Sequence, residues 1–254
     1  MNDPDAVHRG GEMSLAEHLR ELRTRLLRAV IALALGTAVG YAVFPLLLDV
    51  LIAPYCDVSP TVAGGECNLV ALRPLEPFSV RIRTSLVVGL FLAGPVIFYQ
   101  LWRFITPGLT ARERRFTWPF VVLSQLMFAF GIGFAYLVIP QALGVLLNLG
   151  GPRIEALLSA TEYLSFFLAM CLALGLVFEL PLVLVSLAMV GVVTSGGLRR
   201  ARPYAVVGMV TASAIITPTT DAVTLLLVAG PMWFFYEVSM AAAWVIGIRR
   251  RRRA

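Results

Sequence analysis

Long apolar runs, separated by short segments rich in arginine, decide most of what this chain can fold into. Leu26–Phe44 is a 19-residue apolar run whose one charge is Arg28, and Thr84–Trp102 is a 19-residue run with none. Phe116–Leu147 reads as one span ending near Pro140, and Tyr163–Val193 runs 31 residues, interrupted by Glu179 and Pro181. A helix needs about 20 mostly apolar residues to cross about 30 Å of hydrocarbon, so these four runs are spans. Tyr204–Ile216 adds 13 residues, and Ala222–Tyr236 adds 15 before Glu237, with more apolar sequence to Ile248. Both are too apolar for loops, and Thr217-Pro218-Thr219-Thr220-Asp221 marks a turn between them. The expected fold is therefore an all-α membrane protein with six transmembrane helices, of which the fifth and sixth are short. At 1.5 Å per residue the fifth covers about 20 Å, which predicts local bilayer thinning.

Composition agrees. The 254 residues are 59% hydrophobic and 14% charged, where soluble domains are about a quarter charged. The net charge of +6 comes without a single lysine. A nucleic-acid surface needs a soluble basic face, and here the arginines sit between apolar runs. Cytoplasmic segments collect Lys and Arg. With the N-terminus inside, 17 of the 21 arginines fall on inner segments, leaving Arg73, Arg81, Arg83 and Arg153 outside. Both termini are then cytoplasmic, as an even span count requires. The chain reads as one polytopic membrane domain over residues 1–254. It has a cytoplasmic N-terminal segment (1–25), an irregular outer cap (45–83) and a basic inner tail (249–254) suited to anionic lipid. No cleaved leader is expected, because a charged stretch precedes the first apolar run and no small-residue cleavage site follows it.

No catalytic, cofactor or metal set is legible. The two histidines, His8 and His18, precede the first span, and no hydrolase or phosphate-loop motif is present. Cys171 lies mid-span and reads as packing. Cys56 and Cys67 share the outer cap, where an oxidising compartment permits a disulfide; the alternative is two unpaired thiols. Ser14-Leu15-Ala16-Glu17 is a capping-box pattern opening a helix with Leu15, Leu19, Leu22 and Leu26 on one face and a Glu21–Arg25 pair. Thr110 to Glu113 repeats that pattern before the third span. Glu113 is the sole acid among Arg103, Arg112, Arg114 and Arg115. It either caps a helix and neutralises its neighbours, or accepts a guanidinium from another chain through a bidentate pair. Glu179 is the sharpest signal, because an ionisable residue inside a span usually faces a cavity or partner. Pro181 should bend the span around it; the bland alternative is a protonated acid bonded to nearby backbone. Ala32, Gly36 and Gly40 form a ridge for helix packing. A transporter using Glu179 as a proton site would need paired midplane acids in two repeated halves, and no repeat is visible. An intramembrane hydrolase would need a base within the membrane.

Several ordered motifs resemble one family. They include His18-Leu19-Arg20-Glu21-Leu22-Arg23, Ala53-Pro54, Gly94-Pro95-Val96-Ile97-Phe98-Tyr99-Gln100 and Trp102-x-Phe104-Ile105-x-Pro107-Gly108-Leu109. Glu113-Arg114-Arg115, Phe178-Glu179-x-Pro181, Arg202-Pro203-Tyr204 and Thr217-Pro218 continue the series. The chain resembles the TatC family, multi-span components of the twin-arginine translocase. The resemblance implies a receptor, not an enzyme, that binds the twin-arginine signal peptides of folded cargo. It further implies assembly with TatA/TatB-type single-span subunits, homo-oligomers within the complex, and the proton-motive force as driver. By motif it assigns signal-peptide binding to Glu113, Glu21, Arg23 and Phe104. It assigns an outer-cap position to Pro54, a second-span position to Pro95, the cavity-facing acid to Glu179, and the acid after the Thr-Pro turn to Asp221. The family often carries Gln shortly after that acid, where Val223-Thr224-Leu225 stands here.

Overall fold

In hydrocarbon every backbone polar group must be satisfied within the protein, so each apolar run becomes a helix. The computed structural model describes residues 15–58, 69–105, 117–148, 158–217 and 222–251. They form seven helices: α1 (Leu15–Cys56), α2 (Glu76–Ile105), α3 (Thr117–Asn148), α4 (Ala160–Phe178), α5 (Leu180–Val190), α6 (Ser195–Ile216) and α7 (Ala222–Arg251). Five stretches are long and apolar enough to cross a membrane, with α4 and α5 counting together as Ala160–Val190. α6 is not among them, because Arg199, Arg200 and Arg202 occupy its first turns. Leu35, Leu46 and Leu137 are 66%, 77% and 67% exposed, a pattern that only a lipid surround accommodates on this scale.

Three expectations need correction. α7 is 30 residues long with an apolar stretch of 25, so the sixth helix is not short. Glu237 does not interrupt it, because Arg202 of α6 pairs with its carboxylate at 2.5 Å. α3 continues past Pro140 to Asn148, since Ala142 and Leu143 beyond the proline are fully buried and packing carries the helix on. Both ends of the outer cap are helical and not irregular: α1 runs unbroken to Cys56, and α2 begins at Glu76.

Helix α1 packs along α2, α3 on α4, and α7 on both α5 and α6. The expected glycine ridge is the α1–α2 contact. A Cβ on Gly36 would lie 2.5 Å from the Gly89 carbonyl oxygen, and one on Gly40 would lie 2.6 Å from that of Ser85. Backbones this close exclude any side chain there. The main core lies among α3, α4 and α7, where Ala135, Ile139, Tyr163, Met170, Leu174 and Val228 are fully buried.

Prolines inside these helices leave specific debts, because each removes the donor for the carbonyl four residues earlier. Neighbouring helices meet them in α1 and α2. The Arg81 guanidinium donates to Tyr41, four before Pro45, at 3.0 Å. The Tyr136 hydroxyl donates to Val50, four before Pro54, at 3.1 Å. The Gln125 amide donates to Phe91, four before Pro95, at 3.2 Å. Gly94 supplies the room, since a Cβ there would collide with the Gln125 side chain.

Candidate functional site

The inner ends of α1 and α2 carry the first cluster. Glu21 and Arg25 are one turn apart on α1 and form the expected ion pair. Arg103, in the last turn of α2, donates to the Tyr99 hydroxyl at 2.9 Å, its guanidinium 5.9 Å from that ring's centre. Together Arg20, Glu21, Thr24, Arg25, Arg28 and Arg103 line a cavity of about 370 Å³. The structure thus brings Glu21 beside the helix end from which the Glu113 segment departs. Arg23 is exposed and outside that cavity. Glu113, Asp221 and Cys67 lie outside the described residues, as do both capping-box serine and threonine positions, Ser14 and Thr110. Phe104 is in α2, but its side chain is likewise outside the described set.

The second cluster surrounds Glu179. At the expected bend the helix is interrupted at one residue, with Glu179, itself in helical conformation, ending α4 and starting α5, and Pro181 in the first turn of α5. Proline at a helix start loses no bond, which fixes the break at this point. Gly191 closes α5 at φ 92°, a left-handed conformation suited to glycine. Glu179 is only 7% exposed, and its Oε1 has no hydrogen-bond partner among the described residues. The Ser124 hydroxyl of α3 faces its carboxyl. Ser124 also accepts from the Trp102 indole at 2.8 Å, linking α2, α3 and the helix break in one buried polar string. Phe178, one residue before, stacks with Phe134 and Phe235 at 5.7 and 4.7 Å. It lines an apolar cavity of about 700 Å³ with Met127, Phe130, Leu137 and others; Glu179 is buried behind that wall and not part of it.

The outer end is tied down by residues the sequence did not single out. Glu76 accepts from the backbone N–H groups of Leu72, Arg73 and Thr161, at 2.7, 3.2 and 2.8 Å. It thereby joins the start of α2 to the start of α4, beside a lone parallel bridge between Val70 and Ser159. Ser159 and Glu162 form a reciprocal cap on α4. Tyr163 donates to the Leu51 carbonyl at 2.6 Å and packs on Tyr55, next to buried Pro54. Cys56 is disulfide-bonded, and Cys171 is a buried free thiol. Only long-range geometry reveals these roles; a lone Glu before Pro77 carries no signal of its own.

Residues 17–231 match the family described as Sec-independent protein translocase protein (TatC). The chain belongs to the TatC family. The TatC protein of Aquifex aeolicus is 40% identical over 231 residues, covering 90% of this chain and 93% of that one. The TatC protein of Frankia casuarinae is 39% identical over 248 residues, covering 95% and 68%. A crystal structure described as the twin arginine translocase receptor TatC superposes with a TM-score of 0.77 at 38% identity, covering 91% of this chain and all of that one. TatC membership makes the chain a multi-pass membrane component of protein transport, and the fold seen here is that of the solved TatC receptors.

Proposed function

We propose that this chain is the receptor of a twin-arginine translocase in a bacterial cytoplasmic membrane. It binds twin-arginine signal peptides of folded proteins at its inner face and assembles with TatA/TatB-type subunits and further copies of itself, driven by the proton-motive force. Glu113 accepts the paired guanidiniums, Glu21 adds a second carboxylate, and Arg23 and Phe104 flank them. The observation that carries this reading is the meeting of Glu21 with the end of α2, which puts two distant motifs of the sequence at one inner site. A carboxylate about 4 Å from a guanidinium gains on the order of 4 kcal/mol at an effective dielectric of 20, before desolvation. Lysine lacks the planar fork that fits a carboxylate.

In this reading α6 is the fifth of six crossings, short enough to thin the bilayer locally, and both termini are inside. The apolar face of α6, with Tyr204, Val207 and Ile215 at 80%, 66% and 79% exposure, supports docking of partner helices there, and Asp221 after the Thr-Pro turn is a further partner contact in this reading. Glu179, Pro54 and Pro95 shape the membrane cavity and the packing that such helices meet, and a Cys56–Cys67 bridge closes the outer cap.

The test is photo-crosslinking of an Arg-Arg signal peptide, with a Lys-Lys control, to membranes carrying wild type, Glu113→Gln or Glu21→Gln. Loss of about 2 kcal/mol or more, roughly thirtyfold or greater in affinity, is expected for Glu113→Gln, and a smaller loss for Glu21→Gln. Undiminished, arginine-dependent crosslinking to Glu113→Gln removes Glu113 from the site.

A further inference from the structure

The inner cavity between α1 and α2 has a charge balance that signal-peptide binding does not use. Four of its six lining residues are arginine and one is acidic. That acid, Glu21, is engaged by Arg25, and no carboxylate pairs with Arg20 or Arg28 among the described residues. Arg20 and Arg28 thus carry positive charge with no carboxylate partner among the described residues, which favours an anion beside them. Position narrows the anion further. Arg28 sits inside the first apolar run, and Arg103 directly follows the uncharged run Thr84–Trp102. Both guanidiniums therefore lie where hydrocarbon gives way to headgroups. Arg103 is held in place by Tyr99, by hydrogen bond and ring. Arg20 lies two turns farther out on α1, about 12 Å along the axis.

We infer that this cavity binds the phosphate of an anionic phospholipid, gripped by Arg28 and Arg103, with the rest of the headgroup reaching toward Arg20. Basic pockets between transmembrane helices take lipid headgroups in this way, and the planar guanidinium fork matches phosphate oxygens. The acyl chains would lie along the exposed apolar surface of α1, where Leu27, Ile31 and Leu35 face outward. The bound lipid bridges α1 to α2 at the end opposite the Glu76 latch. This site shares its cavity with Glu21 of the signal-peptide reading, and it needs only that these helix ends lie at a headgroup layer.

The experiment uses the full chain, purified in a neutral detergent and examined by native mass spectrometry after addition of phosphatidylglycerol, phosphatidylcholine, glycerol phosphate or inorganic phosphate. One phosphatidylglycerol should be retained per chain, favoured about tenfold over phosphatidylcholine. An Arg28→Gln, Arg103→Gln double variant should lose that preference, while Arg199→Gln, Arg200→Gln on α6 keeps it. The Arg28→Lys, Arg103→Lys variant keeps charge without the fork and should fall between, so a fold-wide failure of the Gln variant is recognised. Retention by the Gln double variant equal to wild type overturns the site. Displacement of the lipid by inorganic phosphate or glycerol phosphate at equal concentration assigns the pocket to a soluble anion and overturns the lipid. Signal-peptide crosslinking is measured on the same samples. Glu113→Gln should lose peptide and keep lipid, so that failure of the peptide reading and failure of the lipid site are seen separately.

Discussion

In α1 and α2, three prolines each leave a carbonyl that a side chain from another helix takes up. Pro203 of α6 and Pro231 of α7 have no such donor among the described residues. The α6–α7 hairpin is held by other means. Tyr236 donates to the Leu198 carbonyl at 2.6 Å, and Arg202 pairs with Glu237. On α6 itself only Leu198, Met209 and Ser213 are buried. The first block is locked by backbone contacts and internal hydrogen bonds, whereas α6 of the hairpin presents most of its side chains outward. Helices of one membrane protein thus serve as two kinds of element, a rigid frame and an accessible rail. The difference lies in which polar groups have been satisfied across helices.

The same substitution in the two regions should separate them most widely. Gly36→Ala puts a methyl 2.5 Å from the Gly89 carbonyl oxygen, where α1 and α2 must part. Overpacking of this kind costs about 1–3 kcal/mol. Gly208→Ala on α6 meets nothing within 4 Å and should be neutral, or gain up to about 1 kcal/mol from helix propensity. Unfolding in mixed micelles with increasing denaturing detergent reads both. Equal responses would mean that the two regions do not differ in the way their geometry indicates.

A smaller effect tests the proline bracing itself. Gln125→Ala strands the Phe91 carbonyl and should cost about 1–2 kcal/mol in wild type. In a Pro95→Ala background the backbone amide at position 95 supplies the missing donor, so the same change should cost markedly less. The double-mutant cycle isolates that coupling. A coupling near zero would make Gln125 a packing residue, with no bracing role.

Much of this frame was legible because hydrocarbon leaves few options. Span positions, the glycine ridge, the Glu21–Arg25 pair and the break at Glu179 each follow from a local rule of spacing or cost. The bracing was not legible, since Tyr136 and Gln125 become donors only once α3 lies beside α1 and α2. Glu76 is similar: its partner Thr161 is 85 positions away, and nothing near Glu76 in sequence announces it. The sixth helix was misjudged for the same reason. Glu237 read as an interruption until Arg202, on another helix, supplied its counter-charge. Glu21 was singled out by a family motif, while the arginine cavity it lines emerged from the pairing of α1 with α2.

The smallest expected effect lies in the hairpin's ion pair. The Arg202 and Glu237 side chains are 46% and 25% exposed, so solvent and headgroups screen them. Exposed pairs of this kind contribute about 0–1 kcal/mol. A cycle of Arg202→Gln and Glu237→Gln, read by the same detergent unfolding, should give coupling in that range and shrink further as salt is raised. Tyr236→Phe, which removes the buried hydroxyl donor to Leu198, should cost more than either charge alone. If the ion pair instead couples by several kcal/mol and ignores salt, the pair is effectively buried. The hairpin would then belong with the rigid frame, and its outward face would be a poor candidate for a partner helix that must engage and leave.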